Sequence, residues 1–309
     1  MKRNNFTDTI LMVRPAHFGY NPETAGNNAF QLEEGSHRTG LIKEKAQQEF
    51  DGIAENLKEH GVIVHVFEDN PKVIKPDAVF PNNWFTTHEN GVLITYPMFA
   101  PARRKERDPA VIEYLKKLFV INDHIRMEQH EDDGKYLEGT GSMILDREGG
   151  VVYACLSDRT HESLLEKFCE KMNYRALVFS ATDPSGLPVY HTNVIMALGN
   201  GFVVACMECV TNKADRDALL AEFKASHLEL VDISFDQVLN FAGNMLQLRN
   251  RSGDPLLAMS TSAFQSLTDQ QKRVLKDRTA LVHSDISTIE KYGGGSVRCM
   301  IAEIFLSER

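Results

Sequence analysis

The segment Gly293-Gly294-Gly295-Ser296-Val297-Arg298-Cys299-Met300 places three consecutive glycines just before a cysteine. Glycine adopts left-handed backbone angles without strain and lets the chain approach a ligand closely. The apolar run over 297–306 that contains the cysteine predicts a strand. Cys299, near the start of that strand, is then well placed to act as a nucleophile. The alternative is a glycine loop followed by a buried apolar cysteine, because free cysteine is commonly buried.

Four earlier parts of the chain have a common plan, in which two short apolar strands flank a turn and a helical pattern follows. Asn90-Gly91 in the first of them is a typical hairpin turn. The hairpins are predicted at 84–96, 142–155, 193–205 and 244–259, and the helices at 108–119, 159–172, 213–226 and 262–275. Short strands are predicted after the last three helices, at 176–179, 228–231 and 280–283.

The plan recurs at an almost constant interval. The first strands of the units begin at Trp84, Ser142, Asn193, Asn244 and Val297, which are 58, 51, 51 and 53 residues apart. A period of about fifty residues indicates a repeat architecture such as a ring or a solenoid. The N-terminal strand at 10–13, the helix at 42–60 and the strand at 62–67 complete the fifth unit. We therefore predict an α/β fold in which residues 1–309 form one domain, a closed ring of five units.

Polar and reactive residues stand just before, or at the start of, the first strand of each unit. If the units are related by rotation about one axis, these side chains converge at one end of that axis. A cysteine and a histidine together supply an activated nucleophile and a proton donor, and a carboxylate can hold nitrogen-bearing groups. Each residue alone also suits a structural role in a loop, turn or strand edge. The residues are Asn82, Asn83, Glu138, His191, Thr192, Asn193, Asn244 and Cys299.

The composition limits the classes of partner. The net charge of −9 and the isoelectric point of about 5.7 argue against a nucleic-acid partner, which needs a basic face. The sequence has neither the apolar core of a signal peptide nor an apolar run long enough for a membrane span. Five cysteines without a dense disulfide pattern suit a reducing compartment. We predict a cytoplasmic protein without cofactor or metal, and for Cys206 and Cys209 we favour strand packing over metal binding.

At four short motifs the chain resembles the guanidine-modifying superfamily of arginine deiminases, dimethylarginine dimethylaminohydrolases and amidinotransferases. The motifs are Phe80-Pro81-Asn82-Asn83, Glu138-Gly139, His191-Thr192-Asn193 and Gly293–Met300. The resemblance implies a five-bladed α/β propeller (a pentein) with pseudo-fivefold symmetry. It also implies that Cys299 is the nucleophile, that His191 is the general acid and base, and that Glu138 grips the nitrogens of the substrate.

Two positions depart from the superfamily pattern in a way that bears on the substrate. Deiminases commonly have aspartates where this chain has Asn83 and Asn193. A guanidinium group is cationic and only donates hydrogen bonds, whereas a ureido group is neutral and also has an acceptor. Amides match a ureido group better, so we expect a ureido amino acid such as citrulline, cleaved to ornithine, ammonia and CO2. The layout also resembles the citrulline-hydrolase branch of the superfamily.

Other functions stay open at the level of the sequence. They are an arginine deiminase, a dimethylarginine dimethylaminohydrolase, an amidinotransferase and a catalytically silent propeller that binds a macromolecule. The joint presence of cysteine, histidine and glutamate argues against the last of these.

The α-carboxylate of an amino-acid substrate needs a cation. Arg103 and Arg104, in a basic segment that resembles an arginine-rich segment of the superfamily, are the candidates that we favour, although a solvated charge run explains them equally well. Arg14 and Arg298 are further candidates. Asn82 and Asn244 are expected either to line the substrate pocket or to shape turns. A homo-oligomer is left open.

Overall fold

The computed structural model of the protein describes residues 3–25 and 39–309. Within these residues, fifteen short strands form five sheets of three strands each. The strands are β1 Thr9–Arg14, β2 Ile63–Glu68, β3 Phe85–Thr87, β4 Val92–Thr95, β5 Asp123–Arg126, β6 Ile144–Asp146, β7 Val151–Cys155, β8 Arg175–Phe179, β9 Met196–Gly199, β10 Phe202–Ala205, β11 Glu229–Asp232, β12 Leu246–Arg249, β13 Pro255–Ser260, β14 Ala280–Ser284 and β15 Ala302–Glu303.

All five sheets have the same topology. The middle strand pairs antiparallel with one neighbour and parallel with the other, as β4 does with β3 and β5. In the fifth sheet the middle strand is β1, which pairs antiparallel with β15 and parallel with β2. The two ends of the chain therefore lie in one sheet, with Ile10 opposite Glu303. The prediction that the N-terminal strand and helix complete the unit of Cys299 is confirmed.

Helices connect the parallel strands of each sheet. In chain order the helices are α1 Pro22–Ala25, α2 Thr39–Glu59, α3 Pro101–Arg104, α4 Pro109–Leu118, α5 Gly139–Ser142, α6 Glu162–Met172, α7 Thr192–Ile195, α8 Lys213–Ala225, α9 Phe235–Leu239, α10 Thr261–Ser266, α11 Asp269–Lys276, α12 Ser287–Gly293 and α13 Val297–Met300. Short 3-10 helices cover Pro81–Asn83, Glu128–Glu131 and Met207–Cys209.

The connecting helices begin at clear capping signals and bury one apolar face. Asp108 caps α4 by accepting a hydrogen bond from the Ala110 backbone N–H, and Pro109 occupies the first helical position. Helix α2 packs Ala46, Phe50 and other apolar side chains against the sheet of β15, β1 and β2. Contacts between first strands join neighbouring sheets, as between β15 and β3, β6 and β9, and β9 and β12.

The prediction of a strand over 297–306 was wrong. Residues 297–300 form the helical turn α13, and the strand that follows has only two residues. Helical turns also precede the first strands of three other sheets, as α5, α7 and the 3-10 helix Pro81–Asn83. Nearly every residue of these turns is buried, so their apolar character has no period that distinguishes a helix from a strand.

Three smaller differences have local causes. Strand β5 was not predicted, because its sequence Asp-His-Ile-Arg is mostly polar. The helix predicted over 262–275 is two helices, since Thr268 starts the second with a capping box. The strand packing predicted for Cys206 and Cys209 was wrong, because β10 ends at Ala205 and Met207–Cys209 is a 3-10 turn. Within the described ranges, no helix is both long and apolar enough to span a membrane.

Candidate active site

Four helical turns meet at one end of the five sheets. The turn Pro81–Asn83 contacts both α5 and α13, and α5 contacts α7. Each turn stands directly before the first strand of its sheet, the position that the repeat singles out. The structure therefore brings together residues that are up to 216 positions apart, from Asn83 to Cys299.

Cys299 lies at the centre of this cluster and is 4% exposed. Its sulfur is 3.3 Å from Nδ2 of Asn244 and 3.5 Å from Nδ2 of Asn193. The Asn244 amide is held by the backbone, since its Nδ2 also donates to the Asn193 carbonyl and its Oδ1 accepts from the Arg298 N–H. Two amide donors thus face the sulfur, where they can share the negative charge of a thiolate.

His191 and Glu138 form a buried pair, with Nε2 of the ring 2.8 Å from Oε2 of the carboxylate. Burial lowers the pKa of His191 to about 4 by disfavouring the imidazolium; Glu138 acts against this, and the charges of Arg159 and Arg103 add to it. Burial alone would raise the pKa of Glu138, but Arg159 and His191 outweigh it and lower this pKa to about 2. The pair therefore consists of a carboxylate and a neutral imidazole that donates from Nε2, which leaves Nδ1 for proton transfer.

Glu138 uses both carboxylate oxygens on the protein itself. Oε1 accepts a hydrogen bond from the Phe99 backbone N–H at 2.9 Å, and Oε2 faces His191. Arg159 and Arg103 place guanidinium nitrogens 3.7 and 3.9 Å from Oε2. Glu138 is not among the residues that line the pocket at Cys299. This geometry suits a residue that orients His191, whereas the resemblance implied a grip on the substrate.

A small pocket borders Cys299 and His191, with a volume of about 20 Å³. A cavity of this size holds little more than one water molecule. The other lining residues are Thr24, Asp77, Phe80, Asn83, Arg103, Arg159, Tyr190 and Gly293 to Gly295.

The triple glycine packs tightly beside the nucleophile. Gly294 has a φ of 64° at the end of α12, in the left-handed region that favours glycine. A Cβ on Gly293 would come within 2.8 Å of the Phe80 ring, and one on Gly295 within 3.4 Å of the Cys299 Cβ. The glycines thus allow Phe80 and Cys299 to line the same narrow pocket.

Two amide atoms near the nucleophile have no partner in the described part of the chain. Arg103 donates to Oδ1 of Asn83 at 3.0 Å, and because arginine only donates, the other end of this amide must be the donor Nδ2. That Nδ2 is buried and makes no hydrogen bond. Asn193 points its Nδ2 at Cys299, and its buried Oδ1 is likewise unsatisfied. The open donor thus belongs to a residue of the pocket lining, and the open acceptor belongs to an amide whose other end faces the sulfur.

The structure separates the two arginines that were predicted to bind the substrate carboxylate. Arg103 lines the pocket, but its guanidinium donates to both carboxylate oxygens of Glu106 at 2.9 Å as well as to Asn83. Arg104 does not line the pocket. It lies 3.3 Å from Glu131 and donates to the Met98 carbonyl.

Five further candidates also lie outside the pocket lining, and two of them, Asn193 and Asn244, face the Cys299 sulfur instead. Asn82 donates to the Thr140 hydroxyl at 3.3 Å and so faces α5. Arg14 binds Asp51 at 2.7 Å on the surface. Arg298 binds Glu303 at 2.7 Å.

Sequence reasoning missed Asp77, Arg159 and Tyr190 as pocket residues. Oδ2 of Asp77 accepts from Asn21 at 2.7 Å, while its Oδ1 is buried without a hydrogen bond within the described ranges. Burial raises the pKa of Asp77, although Arg103 acts against this. Arg159 stacks over the Tyr190 ring at 4.9 Å. Asp77 stands three residues before the motif Phe80–Asn83 and could have been selected on that ground, but Arg159 follows a hairpin strand in an ordinary polar turn.

Among the described residues, no group of three or more histidine, cysteine, aspartate or glutamate side chains could hold a metal ion. Cys206 and Cys209 are buried free thiols whose sulfur atoms lie 3.0 Å apart.

Comparison with known proteins agrees with this arrangement. The sequence profile of the family "N,N dimethylarginine dimethylhydrolase, eukaryotic" matches residues 14–306. The chain belongs to this family. The N,N-dimethylarginine dimethylhydrolase family lies within the guanidine-modifying superfamily that the four motifs indicated. No protein with a curated description matches the chain.

Solved structures of related enzymes share the fold of this family member. The apo structure of ArgZ, an arginine dihydrolase from the ornithine-ammonia cycle in cyanobacteria, matches 95% of the chain at 17% identity with a TM-score of 0.72. The chain spans only 40% of the length of that enzyme. It covers 99% of the ArgZ N-terminal domain, solved as a cysteine-to-serine mutant bound to substrate, at 16% identity and a TM-score of 0.71.

A dimethylarginine dimethylaminohydrolase shares the fold as well. Its structure is that of a histidine-to-glycine mutant in an adduct with S-methyl-L-thiocitrulline. It matches 96% of the chain and 99% of its own length at 14% identity, with a TM-score of 0.64.

Proposed function

We propose that this protein hydrolyses citrulline to ornithine, ammonia and CO2, with Cys299 as the nucleophile and His191 as the acid and base. We further propose that the five sheets close into a five-bladed propeller with this site on its axis. The observation that carries the choice of substrate is a pair of open amide atoms: Nδ2 of Asn83, in the pocket lining, and Oδ1 of Asn193, whose other end faces the Cys299 sulfur.

A ureido group satisfies both of these atoms. Its carbonyl oxygen accepts from Nδ2 of Asn83, and its NH2 group donates to Oδ1 of Asn193. A guanidinium group has no acceptor and leaves the Asn83 donor buried without a partner. An unsatisfied buried donor costs about 1–3 kcal/mol, which corresponds to a preference for the ureido group of about fivefold to 150-fold.

The proposed reaction starts with proton transfer from Cys299 to Nδ1 of His191. The thiolate attacks the ureido carbon, and the C–N bond to the ornithine nitrogen breaks as His191 returns the proton to that nitrogen. Ornithine leaves, and Cys299 carries an S-carbamoyl group. His191 then takes a proton from water, whose oxygen attacks the carbamoyl carbon, and the C–S bond breaks. Carbamate departs and decomposes to ammonia and CO2.

The amino-acid end of the substrate needs one negative and one positive partner. Asp77 lines the pocket with a buried carboxylate oxygen that makes no hydrogen bond in the described part of the protein, and it suits the α-ammonium group. Arg159 lines the same pocket and supplies the positive charge for the α-carboxylate. The guanidinium of Arg103 instead holds Asn83 and Glu106.

A second candidate is an enzyme that begins with arginine, releases one ammonia molecule to form citrulline, and then cleaves citrulline to ornithine, ammonia and CO2. The fold similarity to the arginine dihydrolase ArgZ favours it. This reaction passes through the same final C–N cleavage, so it uses the same cysteine and histidine. The family profile adds dimethylarginine as a third substrate to test.

A product assay separates these candidates. The purified protein is incubated with citrulline, arginine, dimethylarginine or agmatine, and ornithine, citrulline and ammonia are quantified. Ornithine and ammonia from citrulline, with a kcat/KM at least about fivefold above that for arginine, support the proposal. Citrulline as the end product from arginine or dimethylarginine contradicts it. Cys299→Ala is the matched control and should form no product. One domain over residues 1–309, a cytoplasmic location and the oligomeric state stay predictions.

A further inference from the structure

We propose that a second cavity, at the end of the sheets away from Cys299, binds a tetrahedral oxyanion such as phosphate. The cavity has a volume of about 240 Å³, and its lining includes Arg3, His88, Glu89, Arg147, Lys171 and Tyr174. None of its lining residues borders the pocket at Cys299. The site is independent of the proposed substrate.

The connectivity places this cavity away from the candidate active site. Asn83 stands just before β3, and His88 follows that strand. Glu138 stands before α5 and β6, and Arg147 directly follows β6. The cavity therefore lies at the far ends of two strands that begin at the active site, and a three-residue strand spans about 10 Å.

Arg147 is the decisive residue because it is a buried cation without a counter-charge. It is 4% exposed, and no carboxylate lies within 4 Å of its guanidinium among residues 3–25 and 39–309. Its polar neighbour is Nδ1 of His88 at 3.1 Å, and its guanidinium stacks on the Phe305 ring at 3.9 Å. A buried charge is costly unless it is paired, so an anion bound at this wall of the cavity recovers energy that the protein alone does not.

His88 accepts a hydrogen bond from Arg147 but does not supply a negative charge. Arginine only donates, so Nδ1 of His88 accepts, and the ring proton lies on Nε2, which donates to the Thr86 hydroxyl at 3.0 Å. Burial lowers the pKa of His88 well below its ordinary value, and Arg147 and Arg3 lower it further. The histidine is therefore a neutral support for Arg147, and the positive field at this wall is unopposed.

Two further cations and one carboxylate complete the charge balance of the cavity. Arg3 is held over the Tyr174 ring at 4.4 Å and donates to the Met172 carbonyl at 2.8 Å, and Lys171 is exposed at the rim. Neither has a carboxylate within 4 Å in the described part of the chain. Glu89 also lines the cavity, and its Oε1 accepts from Asn4 at 2.6 Å. Three cations against one carboxylate suit a ligand with two negative charges, and the planar guanidinium fork favours an oxyanion.

The test measures binding and is independent of enzymatic activity. The thermal unfolding midpoint and the heat of binding are recorded with inorganic phosphate, sulfate and succinate, at constant ionic strength set with sodium chloride. We expect a saturable rise of the midpoint with phosphate and sulfate below about 10 mM. Arg147→Gln should weaken phosphate binding at least tenfold, while Arg126→Gln, an exposed arginine on β5, should leave it unchanged.

A surface substitution keeps the test decisive if Arg147→Gln does not fold. Lys171→Gln changes only the rim of the cavity and should weaken phosphate binding severalfold. The proposal is overturned if phosphate produces no saturable signal. It is also overturned if Lys171→Gln, together with Arg147→Gln where that variant folds, binds phosphate as tightly as the original protein. Binding of succinate without phosphate or sulfate would also overturn it.

Discussion

Replacing Glu138 by glutamine tests the orientation of His191 most specifically. The carboxylate accepts from the Phe99 N–H through Oε1 and from His191 Nε2 through Oε2. A glutamine with its oxygen toward Phe99 turns its NH2 group toward His191, so Nε2 must become an acceptor. The ring proton then moves to Nδ1, the nitrogen that has to take the proton of Cys299. We expect this variant to fold around a histidine in the wrong tautomer.

The size of the effect follows from the two orientations of the amide. In the serine protease triad, the equivalent loss of the correct tautomer lowers kcat about 10⁴-fold, or about 5.5 kcal/mol. In the other orientation, the glutamine oxygen faces His191 and the histidine keeps the correct tautomer. The glutamine NH2 group then faces the Phe99 N–H, and these two donors without an acceptor cost about 1–3 kcal/mol. It also lacks the charge that stabilises the imidazolium. We therefore expect kcat to fall about 10²- to 10⁴-fold.

The assay separates kcat from KM for ornithine release. Because Glu138 does not line the pocket, KM should change by less than about threefold. Glu131→Gln is the matched control, since this carboxylate also binds arginines, at 2.6 Å from Arg107, but has no hydrogen bond to His191 in the described part of the chain. Its activity should stay within about threefold of the original enzyme. Nitrogen-15 NMR of the histidine rings reports the tautomer directly.

Two results would refute this reasoning. One is a Glu138→Gln enzyme with a kcat within about tenfold of the original. The other is a loss that appears almost entirely in KM, which would return Glu138 to the substrate-gripping role that the resemblance implied.

Three other predictions concern the same site. Gly141→Ala would place a Cβ 2.3 Å from Nδ2 of Asn83 and 2.8 Å from Nδ1 of His191, so kcat/KM should fall about 100-fold. Gly52→Ala is the control and should be fully active, because a Cβ at Gly52 would have no atom within 4 Å. Equal activities of the two variants would contradict the packing. Below its pKa, His191 is protonated and cannot accept the Cys299 proton, so kcat/KM should stay constant down to about pH 5 and be lost as the pH falls through about 4. Circular dichroism checks that the protein stays folded over this range. A loss of kcat/KM centred near pH 6.5 would contradict the buried neutral imidazole. The double variant Asn83→Asp with Asn193→Asp should raise the ratio of kcat/KM for arginine to that for citrulline about 100-fold, because carboxylates attract a cation; an unchanged ratio would remove the support for a ureido substrate.

Much of the fold was predictable because each unit carries its own local signals. Asn90-Gly91 marks a hairpin, and Gly91 indeed has a φ of 80°. Strand β5 and the helical turn α13 were not predicted correctly. The first has a polar sequence, and the second is buried on all sides, so neither shows the period of its structure.

The residues of the site were predictable from their repeat position, but their partners were not. Cys299, His191, Asn193 and Asn244 were selected because each begins a unit. Whether Glu138 faces the substrate or His191 depends on how two units pack, and no spacing in the sequence contains that information. The same holds for Arg103, whose guanidinium is taken up by Glu106 three residues later and by Asn83 of the preceding motif.

The central claim is that Cys299 attacks a ureido carbon and expels ornithine. Mass spectrometry of the Cys299 peptide after rapid acid quench of a turnover with citrulline tests it most directly. The proposal predicts a peptide heavier by one carbamoyl group, absent with Cys299→Ser, and free ornithine in equal amount. An unmodified cysteine during turnover, or an adduct from citrulline that retains the ornithine carbon chain, would contradict it.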